Sequence, residues 1–126
     1  MMLSGRCLCG DVAFEVHGTP RGVSACHCGQ CRKQSGHVWA SAYVPEADLT
    51  ITGTPSWYEA SGTAKRGFCP RCGSFLFWKA RDEDTISFAL GALDLPTSLT
   101  LQKHIFCEDK GDYYDIEDDL PQLARS

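Results

Sequence analysis

An all-β domain is the fold class this sequence predicts, and three observations predict it. Short runs rich in β-branched and aromatic residues alternate apolar and polar positions. Gly, Pro, Asp and Ser punctuate most of the gaps, at Gly18–Pro20, Gly53–Pro55, Gly62, Gly73 and Leu95–Pro96. The one local helix candidate is a turn or so around Cys31 to Ser35. In chain order, "DVAFEVHG" sets Val12, Phe14 and Val16 against outward-facing partners, the period-two pattern of a half-buried strand. "WASAYVP", "SWYEA", "GSFLFWKA" and "TISFALGAL" read the same way. Many short strands with turn signals point to antiparallel sheets, and a sandwich or a folded-over sheet both satisfy the pattern.

The 126 residues fit a single domain spanning 1–126, with no repeat, low-complexity tract or long linker dividing it. A 43% hydrophobic content supports a modest core and argues against disorder. No run approaches the roughly 20 apolar residues that cross a bilayer, so no membrane partner is expected. The opening "MMLSGRCLCGDV" lacks the apolar region of a secretory signal, which leads us to expect a cytoplasmic protein. Net charge is −4 and unevenly placed. Seven acids and two bases between Glu108 and Ser126 give that stretch −5, so the rest of the chain sums to about +1. Residues 108–126 are therefore expected to be a solvated acidic C-terminal segment. The balance also lacks the basic footprint of a nucleic-acid binder.

Eight cysteines are the strongest signal. In a reducing cytoplasm such density argues for metal binding over disulfides. Seven of them form a C-x-C at Cys7 and Cys9, a C-x-C-x-x-C at Cys26, Cys28 and Cys31, and a C-x-x-C at Cys69 and Cys72. Two intervening residues let a tight turn aim both sulfurs at one ion; one intervening residue in an extended segment puts both on one face. A disulfide inside so short a loop would remove little unfolded-state entropy. Four thiolates from two distant pairs make a closed structural zinc site, and the natural pairing is Cys7 and Cys9 with Cys69 and Cys72. Gly10 and Gly73, each just after a cysteine, suit the turns this needs.

That pairing leaves Cys26, Cys28 and Cys31. Three protein ligands and a free fourth position mark a catalytic zinc. Three thiolates outweigh the ion's two charges, so the site carries −1: a poor acidifier of water, but able to hold an incoming thiol as its thiolate. Thiol chemistry is expected over hydrolysis. A zinc deaminase would need an H-x-E element that is missing. "CPRC" as a redox pair would need a βαβ context that the pattern lacks. Cys107 is expected to be a buried free thiol, the alternative being a fourth ligand that closes the second site.

"GRCLCGDVAFEV", "CHCGQCRKQSG", "FCPRCGSFLFW" and "HIFCEDKGDYYDIEDDLP", together running from Gly5 to Pro121, resemble the glutathione-dependent formaldehyde-activating (GFA) family, which also includes centromere-protein-V-like members. The resemblance implies an Mss4-like, β-tent fold. It implies two zinc ions per chain, one structural on Cys7, Cys9, Cys69 and Cys72 and one catalytic on Cys26, Cys28 and Cys31. It further implies a carbon–sulfur lyase that forms S-hydroxymethylglutathione from glutathione and formaldehyde, so a small-molecule thiol and an aldehyde are the expected partners. The alternative is a non-catalytic zinc-stabilised β domain that serves as a binding or scaffold module.

Other residues receive plainer expectations. His27, between two candidate ligands, should point away from their ion as a partly buried structural imidazole. His37 and His104 are weaker proton-donor candidates, and His17 belongs to a turn. Arg32, Lys33, Lys65, Arg66 and Arg71 read first as a solvated basic face and second as receivers of glutathione's carboxylates. Trp39, Phe68, Phe75, Phe77 and Trp78 read as core.

Overall fold

Period-two patterning decides which side of each strand is buried. In Ala13–His17, Phe14 and Val16 are buried while Glu15 and His17 face out, and Met2–Arg6 repeats this with Leu3 and Gly5 inside. The computed structural model describes residues 2–126; Met1, part of the expected 1–126 domain, lies outside them. In chain order the strands are β1 (Met2–Arg6), β2 (Ala13–His17), β3 (Arg21–Cys26), β4 (Trp39–Pro45), β5 (Leu49–Thr52), β6 (Ser56–Tyr58), β7 (Ala64–Phe68), β8 (Phe75–Ala80), β9 (Thr85–Ala89) and β10 (Lys103–Ile105). One helix, α1 (Gly29–Ser35), lies between β3 and β4. The helix candidate at Cys31–Ser35 is therefore this element with its first two residues missed. Among the described residues no helix is long and apolar enough to cross a membrane.

The strands form two sheets. The smaller has the order β1-β2-β5; the larger runs β10-β3-β4-β9-β8-β7-β6. All-β class and antiparallel pairing hold throughout except at one edge, where β10 runs parallel to β3. The physical reason is the long irregular excursion after β9, which carries the chain back across the domain before it reaches that edge. Phe14 of the small sheet packs edge-on against Phe77 of the large one at 5.2 Å and tilted against Phe88 at 5.9 Å, and all three are buried. Phe77 and Phe88 are register partners on β8 and β9. This aromatic contact is the seam between the sheets, with Val12, Val16, Val44 and Leu76 around it. Gly53, before β6, sits at φ +87°, and a Cβ there would meet the Asp11 carbonyl oxygen at 2.1 Å, so only glycine fits.

The acidic segment after residue 108 keeps its carboxylates at the surface but ties its backbone down. The His104 amide donates to the Pro121 carbonyl, the Leu123 amide to that of His104, and the Cys107 amide to that of Leu123, each at 2.9 Å. The tail thus lies along β10.

Candidate metal centres

Two turns of similar construction meet at the first cysteine group. After β1, the Gly10 amide closes onto the Cys7 carbonyl at 3.2 Å, and the Val12 amide donates to Cys7 Sγ at 3.3 Å. Between β7 and β8, the Gly73 amide closes onto the Cys69 carbonyl at 2.8 Å, and the Cys72 amide points at Cys69 Sγ at 3.5 Å. Both glycines are left-handed, at φ +87° and +83°. The four sulfurs of Cys7, Cys9, Cys69 and Cys72 lie within 4.8 Å of one another, with Cys7–Cys9 at 3.6 Å and Cys9–Cys69 at 3.7 Å. A tetrahedral zinc with Zn–S of about 2.3 Å needs sulfur–sulfur edges of about 3.8 Å, so this donor set fits that ion. The Ser74 hydroxyl, then the Ser74 and Cys9 amides, pull the Cys72 thiol down to about 5. Amides and hydroxyls that favour thiolate here are what a cation site requires.

The second group is built on a strand end and a helix start. Cys26 ends β3, and the next amide, of His27, is pinned to the Ile105 carbonyl of β10 at 3.0 Å. Cys28 N-caps α1, its Sγ accepting from the Cys31 amide at 3.3 Å, and Gly36 at φ +92° ends the helix. The sulfurs of Cys26, Cys28 and Cys31 again lie within 4.8 Å of one another. Hydrogen bonds from the Cys26 and Cys31 thiols pull Cys28 down to about 2, while the bond to Cys28 pushes Cys26 up. These contacts favour thiolate at Cys28, within a group of three sulfurs close enough to share one ion. Cys107, half-buried, does not join this cluster, and burial raises its thiol.

Arg66 of β7 departs most from the sequence expectation. It is 4% exposed, not solvated: Nη1 donates to Cys31 Sγ at 3.6 Å and to Gln34 Oε1 at 3.4 Å, and the guanidinium lies 5.4 Å over the Phe75 ring. The cause is the alternation of β7, which turns residue 66 inward, toward the three-cysteine end of the sheet. Of the other bases, Lys33 is exposed, Arg32 half-buried, Lys65 covers the Trp57 ring at 4.4 Å, and Arg71 pairs with Asp11 at 3.2 Å. Trp39 stacks on Phe75 at 4.0 Å beside the trio; Phe77 is fully buried, and Phe68 and Trp78 are half-buried.

His27 is buried and turns away from the three sulfurs, bonding the Tyr114 hydroxyl through Nδ1 and His104 Nδ1 through Nε2 at 2.9 Å. Burial, then the neighbouring His104, holds it below the usual histidine range. His104 Nε2 reaches Asp118 Oδ2 at 2.8 Å. Sequence reasoning gave no role to Tyr114, Asp118 or Gln34. The only available signal was the density of polar and aromatic residues in "DYYDIEDD".

Two open grooves flank α1. One, of about 680 Å³, runs between the helix and β6–β7 and includes Lys33, Gln34, Trp57, Tyr58, Arg66 and Phe68. The other, of about 580 Å³, includes Arg6, Gln34, Trp39, Ser74 and Phe75. Gln34 and Gly73 belong to both. Neither groove has a cysteine in its wall; Arg66 and Gln34 link the larger one to Cys31.

Fold and site together define a small β domain carrying two cysteine centres suited to metal ions, one of four sulfurs and one of three. Comparison then places it more narrowly. The family described as glutathione-dependent formaldehyde-activating enzyme (GFA) matches residues 2–109, and the chain belongs to that family. A Halomonas elongata protein, provisionally named as a glutathione-dependent formaldehyde-activating enzyme, is 31% identical over 93% of this chain and 82% of its own. An uncharacterized lyase of Schizosaccharomyces pombe is 28% identical over 89% of this chain and 83% of its own. A Rhodobacter sphaeroides protein of known crystal structure superposes with a TM-score of 0.57 at 26% identity, covering 75% of this chain and 91% of the other.

Proposed function

We propose that this chain is a zinc-dependent carbon–sulfur lyase-type enzyme that joins glutathione, or a related small thiol, to formaldehyde. Cys26, Cys28 and Cys31 hold the catalytic zinc; Cys7, Cys9, Cys69 and Cys72 hold the structural one. Zinc on the trio supplies a position at which a visiting thiol is stabilised as its thiolate. In the balanced reaction a carbon–sulfur bond would form between the thiol sulfur and the formaldehyde carbon, the carbonyl π bond would break, and the proton given up by the thiol would be matched by one taken up at oxygen, giving the hydroxymethyl thioether. The chain's own residues do the positioning. Three sulfurs converge without a fourth, Arg66 offsets the −1 of a three-thiolate ion, and Lys33 at the groove rim is placed for a substrate carboxylate. Bringing two small reactants together accounts for much of the expected acceleration. Family membership and the names of the two relatives support this reading.

The observation that carries it is the buried Arg66 guanidinium against Cys31 Sγ, a cation serving a negatively charged centre. One observation favours a second reading, a zinc-stapled scaffold module: Cys26 and Cys31 are only 7% and 3% exposed, which leaves Cys28 as the accessible sulfur. Exchange NMR of glutathione with formaldehyde, with and without the holoprotein, separates the two. Acceleration above the uncatalysed condensation, lost in Cys28→Ser, supports the enzyme; no acceleration with two zincs bound supports the scaffold.

A further inference from the structure

The side chains behind the trio form a continuous chain of hydrogen bonds. Asp118, a surface carboxylate, only accepts, so His104 must donate to it from Nε2 at 2.8 Å. His104 Nδ1 in turn meets His27 Nε2 at 2.9 Å. His27 bonds the Tyr114 hydroxyl through its other ring nitrogen, Nδ1. Tyr114, His27, His104 and Asp118 are thus linked in one unbroken run. One residue earlier in the tail, the Tyr113 hydroxyl meets His37 Nδ1 at 2.7 Å. His27 lies inside the Cys26–Cys28 segment, and His37 follows the helix that bears Cys31. The acidic tail therefore grips the ligand loop at both ends, and Lys110 stiffens the grip by donating to the Tyr114 carbonyl with its ammonium 4.7 Å from the ring.

We propose that Tyr114, His104 and Asp118, with Tyr113 on His37, are positioning residues that hold the Cys26–Cys28–Cys31 loop in its metal-binding geometry. The tail is thus a functional part of the three-sulfur site rather than a solvated appendage. This inference rests on the reading of that trio as a metal centre. None of these residues ligates an ion. Tyr114, His104 and Asp118 act through His27, whose ring is fixed at both nitrogens and whose backbone joins two ligands. Hydrogen-bonding partners of this kind are typically worth 10- to 100-fold in metal affinity when removed.

The test uses the full-length protein loaded with two zinc ions, titrated with a chromophoric chelator, and in parallel its cobalt(II) form followed by absorption. The variants are Tyr114→Phe, Asp118→Asn, Asp118→Glu and, as control, exposed Asp119→Asn. Tyr114→Phe and Asp118→Asn are expected to lose one of the two ions at a 10- to 100-fold lower chelator concentration, with the other ion unmoved. Asp118→Glu should restore retention, and Asp119→Asn should match the parent. In the cobalt form, only the absorption that Cys28→Ser removes should shift. Unchanged retention of both ions in Tyr114→Phe and Asp118→Asn overturns the proposal, as does equal weakening of both ions. A parent protein that holds only one ion overturns the metal reading of the trio and this inference with it.

Discussion

Removing a ligand from each centre should separate their roles, and the cost can be worked from the chain. Cys9 and Cys69 are sixty positions apart, and cross-linking points that distant removes about 4 kcal/mol of unfolded-chain entropy. Cys26 and Cys31 are five positions apart, for which the same expression gives about 2 kcal/mol, an upper value because α1 already orders that loop. A 126-residue domain unfolds with an entropy of about 0.26 kcal/mol per degree. Cys9→Ser should therefore lower Tm by about 15 °C and Cys28→Ser by about 8 °C or less. Cys9 is the right choice because it is exposed, so its loss removes a ligand and no core packing, unlike fully buried Cys69. Calorimetry at matched zinc gives both numbers, and elemental analysis should find one ion remaining in each variant. Equal drops in Tm, or a larger drop for Cys28→Ser, would refute the assignment of architecture to the four-sulfur centre.

Three further perturbations follow from side-chain surroundings. Arg66→Met keeps the packing over Phe75 but leaves the trio's charge unbalanced, so condensation of glutathione with formaldehyde should slow about tenfold or more, and Arg66→Lys should recover part of it; progress curves by NMR decide. Phe77→Ala opens the seam between the sheets and should cost about 3–5 kcal/mol in urea unfolding. Gly53→Ala forces a Cβ to 2.1 Å from the Asp11 carbonyl at positive φ, and its unfolding free energy from urea titration should fall by at least about 1 kcal/mol, more than an ordinary surface substitution costs.

What was legible in the sequence is what is local. "WASAYVP" is β4 residue for residue, and Phe14 and Val16 face inward as their alternation requires. Cysteine spacing is also local: C-x-C and C-x-x-C each fix where two sulfurs point, and the groups they predict coincide with those that the fold assembles. β1, β3, β5, β7 and β10 carry weaker periodic signals and were missed. "RGVSAC" in β3 is buried at four consecutive positions, so it shows no alternation to read. The role of Arg66 was illegible for a different reason. A guanidinium is recognised as buried only when its partners are known, and Cys31 lies thirty-five positions away. Tyr114 and His27, eighty-seven apart, meet only because β10 turns parallel to β3 at the edge.

The two centres are not independent, because one strand serves both. β7 carries Arg66 toward the trio, and three residues later the chain supplies Cys69 to the four-sulfur group. Between them, at Gly67 and Phe68, the pairing of β7 with β8 shifts register. Such an irregularity re-aims the side chains on either side of it. An ion on Cys7, Cys9, Cys69 and Cys72, as proposed above, would anchor the strand beyond that shift. Loss of that ion should therefore loosen the aim of Arg66 and reduce turnover, although all three sulfurs of the other centre remain. The reverse dependence is weaker, since α1 and the tail's hydrogen bonds to His27 and His37 hold the trio's loop as well. Cys9→Ser should accordingly lose activity along with stability, while Cys28→Ser loses activity and leaves the four-sulfur ion in place. Full turnover in Cys9→Ser at a temperature where it is folded would show that β7 keeps its register unaided.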